Sequence, residues 1–212
     1  MLVRSRMTRD VITAPPTMTL AEAVAVTRRH RIRHLPVVQN GRLVGVASDR
    51  DLRLAIPPQG SMPEEERQRL LETTRVGDVM VKDVITISPD APVEEAAALL
   101  AEHKIGCLPV LMDGQLVGIL SETDVLHAFV ELFRANGPSS RIEVRMPDRP
   151  GELARVVRLI GIDFKINITG MIVPPLSEGE ALAIIHLQTL DPRNLIEALE
   201  KLGYQAGWPS LA

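Results

Sequence analysis

A chain of 212 residues with 45% hydrophobic content holds enough apolar material for one large or two smaller packed domains. Its 24 Lys+Arg against 27 Asp+Glu leave a net charge of −3 without a long block of one sign, which argues against a protein held to nucleic acid by bulk charge. A single cysteine, Cys107, excludes an internal disulfide. No apolar run approaches the roughly 18 residues of a spanning helix, and residues 1–10 carry charges where a signal peptide needs an apolar core, so a cytoplasmic protein with no membrane partner is expected.

The elements follow in chain order. Residues 10–13, DVIT, predict a short strand, followed by a proline turn. Thr19 and Glu22 form a T-x-x-E capping box ahead of a helix with Leu20, Val24 and Thr27 on one stripe, ending near His30. The runs LPVV and RLVGVA, joined by Asn40-Gly41, predict a β-hairpin, and Ser48-x-x-Asp51 caps a second helix. A shift of 73 positions then repeats the whole plan. It carries Met7 to Met80, Pro16 to Pro89, Gly41 to Gly114 and Asp51 to Asp124, and aligns residues 3–128 without a gap. The second copy has its strand at 83–86, Pro92 in the first turn of a helix bearing Val93, Ala97 and Leu100, and an end near His103. Its hairpin turns at Asp113-Gly114, and Ser121-x-x-Asp124 follows. Self-similarity at one fixed period means a unit used twice, each copy burying a face against its twin. Between the copies, residues 57–75 read as a proline-punctuated linker with a short charged helix.

A second boundary falls at residues 136–140, where a helix carrying Phe129 and Phe133 stops at Gly137-Pro138. Residues 141–146 alternate as a strand, and Asp148-Arg149-Pro150-Gly151 turns into a helix with Leu153, Val156, Val157 and Ile160 inside. Strands at 165–169 and 181–190 flank a hairpin containing Pro174 and Pro175. Asp191-Pro192 then caps a helix with Leu195, Ala198, Leu199 and Leu202 inside; Gly203 ends it, and a last strand lies near Tyr204. The order β-α-β-β-α-β is ferredoxin-like. The fold class is α+β: two β-α-β-β-α units related by a pseudo-twofold axis, plus this smaller domain. The boundaries are 1–56 and 76–136 for the copies, 57–75 for the linker, 140–206 for the third domain and 207–212 for a tail.

Polar residues interrupt the apolar pattern of each copy at S-x-x-D and just before Leu-Pro. A lone S-x-x-D is explained by capping, but both copies keep Ser and Asp while the residues between them vary. An aspartate there can accept both hydroxyls of a ribose, and a helix N-terminus favours phosphate, so a ribonucleotide satisfies both. His30 and His103 are explained by the helix-end dipole, and Cys107 by an apolar burial site. No metal-ligand spacing appears among the five histidines and one cysteine.

With H-x-I-x-x-L-P-V and G-h-h-S-x-x-D each present twice, residues 3–132 resemble a tandem pair of CBS domains, the adenosine-ligand-sensing module. That resemblance implies composite sites in which Asp51 and Asp124 hold ribose hydroxyls, with Ser48, Ser121 and Thr123 toward ribose or phosphate. Adenine would then lie against Thr13, Ala14, Ile32, Thr86, Ile87 and Ile105. The copies differ where the family faces phosphate: Arg33-His34 becomes Gly106-Cys107, and Arg50 stands where the other copy has Thr123. Two unequal sites are therefore expected, with Asp124, Arg33 and His34 serving phosphate better than Asp51, Gly106 and Cys107. Residues 140–206 resemble an ACT domain through Asp148-Arg149-Pro150-Gly151-Glu152-Leu153 and Ile166-Asn167-Ile168, which makes Arg149, Gly151 and Asn167 a candidate amino-acid site. A capped turn explains the same residues.

The arrangement of CBS pair plus ACT domain resembles the acetoin-utilisation type of CBS protein. It implies a non-catalytic homodimeric regulator, with no required cofactor, that binds AMP, ADP or ATP (or S-adenosylmethionine or NADH) and acts on a protein partner. An amino-acid sensor using the CBS pair as a dimeriser is an alternative. An enzyme finds less support, because no nucleophile with a paired base and no phosphate-gripping glycine loop is present.

Overall fold

Both copies of the repeat fold to one plan, which the local sequence dictates. In the computed structural model, residues 1–133, 139–174 and 179–208 are described, and the chain divides into units 1–128 and 129–212. The expected helix stop at Gly137-Pro138, the Phe133 side chain, Pro175 and residues 209–212 lie outside the described residues.

Helix α1 (Leu20–His30) opens on the expected capping box. Thr19 N–H donates to Glu22 Oε2 at 2.8 Å and Glu22 N–H to Thr19 Oγ1 at 3.2 Å. The Thr19 N–H, and the Thr19 hydroxyl donating to the same Oε2 at 2.8 Å, hold the Glu22 carboxyl below its usual range. The helix buries Leu20, Ala23 and Thr27, and Arg31 closes it in the left-handed region at φ 53°. Strands β1 (His34–Gln39) and β2 (Arg42–Ser48) pair antiparallel through Asn40 and Gly41, both at positive φ, as a type I′ turn requires. Helix α2 (Asp49–Leu54) follows, then the exposed linker helix α3 (Glu64–Thr73) and the short α4 (Val76–Val79). The second copy repeats this as α5 (Val93–His103), β3 (Cys107–Met112), β4 (Gln115–Ser121) and α6 (Glu122–Phe133). Even the strand irregularity recurs, at Val37/Val38 and at Val110/Leu111.

Two features depart from the sequence reading. Residues 10–13 and 83–86 form no strand; instead one residue further on in each copy makes a single parallel bridge, Ala14 to Val37 and Ile87 to Val110. Prolines close behind, at 15–16 and at 89, lack the N–H that would extend a ladder. The copies also exchange their leading segments. Val3 N–H donates to Ala91 O, and Thr8 pairs with Ile119 in both directions; the related segment pairs Val81 with Val46, and Val76 packs in the first copy's core with Leu20, Leu35 and Leu52. This exchange explains Gly118 and Gly45. A β-carbon on Gly118 would stand 2.5 Å from the Met7 sulfur, and one on Gly45 would meet the Met80 sulfur in the same way.

In the second unit, β5 (Ser140–Pro147), α7 (Glu152–Arg158, continued by a π-helical turn), β6 (Ile168–Ile172), β7 (Glu180–Leu187), α8 (Arg193–Lys201) and β8 (Gln205–Gly207) give the expected β-α-β-β-α-β order. The antiparallel sheet runs β6-β7-β5-β8. Ile142, Val144 and Met146 meet Val156, Ile160, Leu195 and Leu199 in its core. Strand β6 begins later than expected, after Lys165 takes positive φ. Leu202, expected inside, is 59% exposed because α8 ends at Lys201 before the left-handed Gly203.

Candidate functional site

Each S-x-x-D sits where a hairpin strand runs into a helix, and its two polar side chains cap one another. Ser48 N–H and Oγ–H donate to Asp51 Oδ2 at 2.9 and 2.6 Å, and Asp51 N–H donates to Ser48 Oγ at 3.1 Å. Ser121 and Asp124 repeat the set at 2.8, 2.6 and 3.3 Å. Retention of Ser with Asp is thus what a reciprocal capping box demands, and the inference that the pair exceeds capping does not follow from their retention alone. What remains free is the other carboxylate oxygen, Oδ1, which accepts no hydrogen bond among the described residues.

Asp51 and Ser48 border a cleft of about 430 Å³. The second copy supplies Ile105, Gly106 and Cys107 to the same lining, so the structure brings together one of the two composite sets expected from the sequence. The apolar wall is Val46 with Val81, Val84 and Ile85, residues that sequence reasoning missed. Its signal lay in the pattern at 81–85, which the expected strand at 83–86 obscured by directing attention to Thr86 and Ile87. Ile87 is core, at 6% exposure, as is its counterpart Ala14 at 1%. Neither lines the cleft, and Thr13 and Thr86 are also absent from its walls. Ile32 lines a neighbouring cavity.

Charge is distributed differently from the expected split. Arg33 and His34 border the Asp51 cleft along with Gly106 and Cys107, joined by Arg50 and Lys104. Asp49, Asp83 and Glu122 border it too, so cations and carboxylates are interleaved. Arg33 also donates to Thr123 Oγ1 at 3.0 Å, tying the copies together beside Asp124. The His34 ring occupies the space a side chain at 106 would need: a β-carbon there would lie 2.7 Å from His34 Nε2. Burial, and then the Arg33 charge, push the His34 pKa below its ordinary value. Burial pushes the Cys107 thiol up to about 12, which makes it the inert apolar residue expected.

In the second unit, Arg149 is exposed on the turn before α7, and Gly151 forms the helix cap at φ 96°. Asn167 donates its amide to Gln188 Oε1 at 3.1 Å, while Tyr204 O–H donates to Glu152 Oε2 at 2.6 Å. Among the described residues, no helix is long and apolar enough to cross a membrane.

Comparison with known proteins bears on the repeat fold. The family model described as "CBS domain" matches residues 3–58 and 76–131. A crystal structure of a Vibrio cholerae protein assigned to acetoin utilization is 35% identical, with TM-score 0.53, over 62% of this chain and 92% of that one. The structure of CBSX2 in complex with AMP is 30% identical, with TM-score 0.53, over 63% of this chain and 98% of that one. The CBS domain pair of protein MJ0100, in complex with 5-methylthioadenosine and S-adenosyl-L-methionine, is 28% identical, with TM-score 0.52, over 62% and 97%. Two matched repeats, each with its hairpin and Ser-Asp cap and each closed by a segment of the other, make this chain a member of the CBS-domain family.

Proposed function

We propose that the protein is a non-catalytic sensor of an adenosine compound, bound in the cleft bordered by Asp51. One observation supports the reading: Asp51, whose Oδ1 accepts no hydrogen bond among the described residues, lines the same cavity of about 430 Å³ as Ile105, Gly106 and Cys107 of the other copy. An acceptor beside an apolar wall suits a ribose diol and an adenine ring, and Arg33, Arg50 and Lys104 supply charge for a phosphate. The AMP and S-adenosylmethionine complexes of related CBS pairs support this ligand class. A ligand that touches both copies biases their relative packing to the extent that it prefers one arrangement, which is the physical content of sensing. The ACT resemblance of residues 140–206 makes that domain, or a protein partner, the receiver of the signal in a homodimeric regulator. The Vibrio cholerae likeness makes acetoin utilisation the first pathway to test.

Calorimetry of the full chain against AMP, ADP, ATP, S-adenosylmethionine and NADH tests the reading. Asp51→Ala is expected to weaken the bound compound about tenfold or more, the loss of a charged hydrogen-bond acceptor. No heat with any of the five compounds, or an unchanged affinity in Asp51→Ala, would refute it.

A further inference from the structure

Outside the nucleotide cleft, a second cavity of about 390 Å³ opens between α1 and α2 of the first copy. It lies within the roughly 300–1,000 Å³ of small-ligand clefts. Val24, Ile32, Leu52 and Ile56 give it an apolar floor, while its rim carries Arg28, Arg31, Arg33 and Arg53 against one acid, Asp49. That acid is already engaged, since Arg53 forms an ion pair with its carboxylate and donates Nε–H to its carbonyl at 3.1 Å. Among the described residues, Arg33 donates to the neutral Thr123 hydroxyl and forms no ion pair. The guanidinium groups of Arg28 and Arg31 have no acceptor among the described residues.

The repeat supplies an internal control. Carried by 73 positions, the floor residues become Ala97, Ile105, Val125 and Phe129, all still apolar. Arg28, Arg33 and Arg53 become Ala101, Gly106 and Leu126, and only Arg31 keeps a charged counterpart, Lys104. A helix pair of the same build therefore forms without these cations, so packing does not require them. Clustered like charges repel one another unless an anion lies between them.

We propose that this cavity binds a small organic anion, with a carboxylate or phosphate head held between Arg28, Arg31 and Arg33 and a short apolar body laid on Ile32, Leu52 and Ile56. The site differs from the nucleotide cleft in Arg28, Arg31 and Arg53, none of which borders that cleft, while Arg33 and Asp49 border both.

The test titrates the full chain with hexanoate and with hexyl phosphate, using hexanol and inorganic phosphate as controls and AMP in parallel, by calorimetry and NMR. At least one organic anion is expected to bind saturably and more tightly than hexanol or inorganic phosphate, and the stronger of the two identifies the head group. The variant Arg28→Ala/Arg53→Leu writes the second copy's residues into the first. It is expected to weaken the anion at least tenfold while leaving its melting temperature and AMP affinity unchanged, and Arg28→Gln alone should show a smaller loss. The proposal is overturned if neither organic anion binds, if hexanol binds as well, or if both variants bind the anion as the parent does. Anion binding without any AMP binding would refute the nucleotide reading and leave this one standing.

Discussion

The His34 ring fills the space that a side chain at Gly106 of the other copy would need. Burial first, then the Arg33 charge, lower its pKa, while Asp49, Glu122 and Asp51 pull the other way. In the unfolded chain it titrates near its ordinary value of 6.5. As pH falls through that value, the unfolded state takes up a proton that the native state refuses, so stability falls with it. His34→Gln should flatten this part of the profile, as measured by urea unfolding between about pH 5.5 and 7.5. The two aspartates make a second test at this scale. Asp51→Ala and Asp124→Ala each remove one reciprocal cap and should each cost about 1 kcal/mol of unfolding free energy. Equal destabilisation alongside a loss of AMP affinity in Asp51→Ala separates ligand contact from capping. Were Asp51→Ala to leave stability untouched, the hydrogen bonds from Ser48 would not be the ones that organise this turn.

At the level of elements, the exchanged segments bind each copy to the other. Gly118→Ala would drive a methyl group into the Met7 sulfur, and Gly45→Ala one into Met80. Each should cost about 1–3 kcal/mol by overpacking, read as a lower urea midpoint. A neutral result at both positions would mean that the segments yield freely. The sequence revealed whatever was local: the Thr19–Glu22 box, the Asn40-Gly41 and Asp113-Gly114 turns, and the Ser-x-x-Asp caps each depend on residues within three positions of one another. It did not reveal the exchange, because nothing near Val3 or Val76 indicates which copy will bury it. For the same reason the wall of Val81, Val84 and Ile85 was missed. A β-branched run reads as a strand until the prolines around it are weighed against the hydrogen bonds a ladder needs. Arg33 and His34 were expected beside Asp124; that they border the Asp51 cleft instead depends on how the copies face each other.

For the whole molecule, each unit has a core of its own, with Leu20, Leu35 and Leu52 in one and Ile142, Ile185 and Leu199 in the other. Differential scanning calorimetry with AMP at 100 times its Kd should raise only the transition of residues 1–128. The gain is about 2.7 kcal/mol, or on the order of 5–10 °C. A shift confined to the other transition would place the ligand in residues 129–212 instead. The exchange of leading segments also bears on how the protein is made. Thr8 finds its backbone partner, Ile119, only after both hairpins have left the ribosome, and the first copy's core waits for Val76. Residues 3–8 are thus made well before the strand that secures them, and a nascent chain halted after the first hairpin would leave them open to proteases and chaperones.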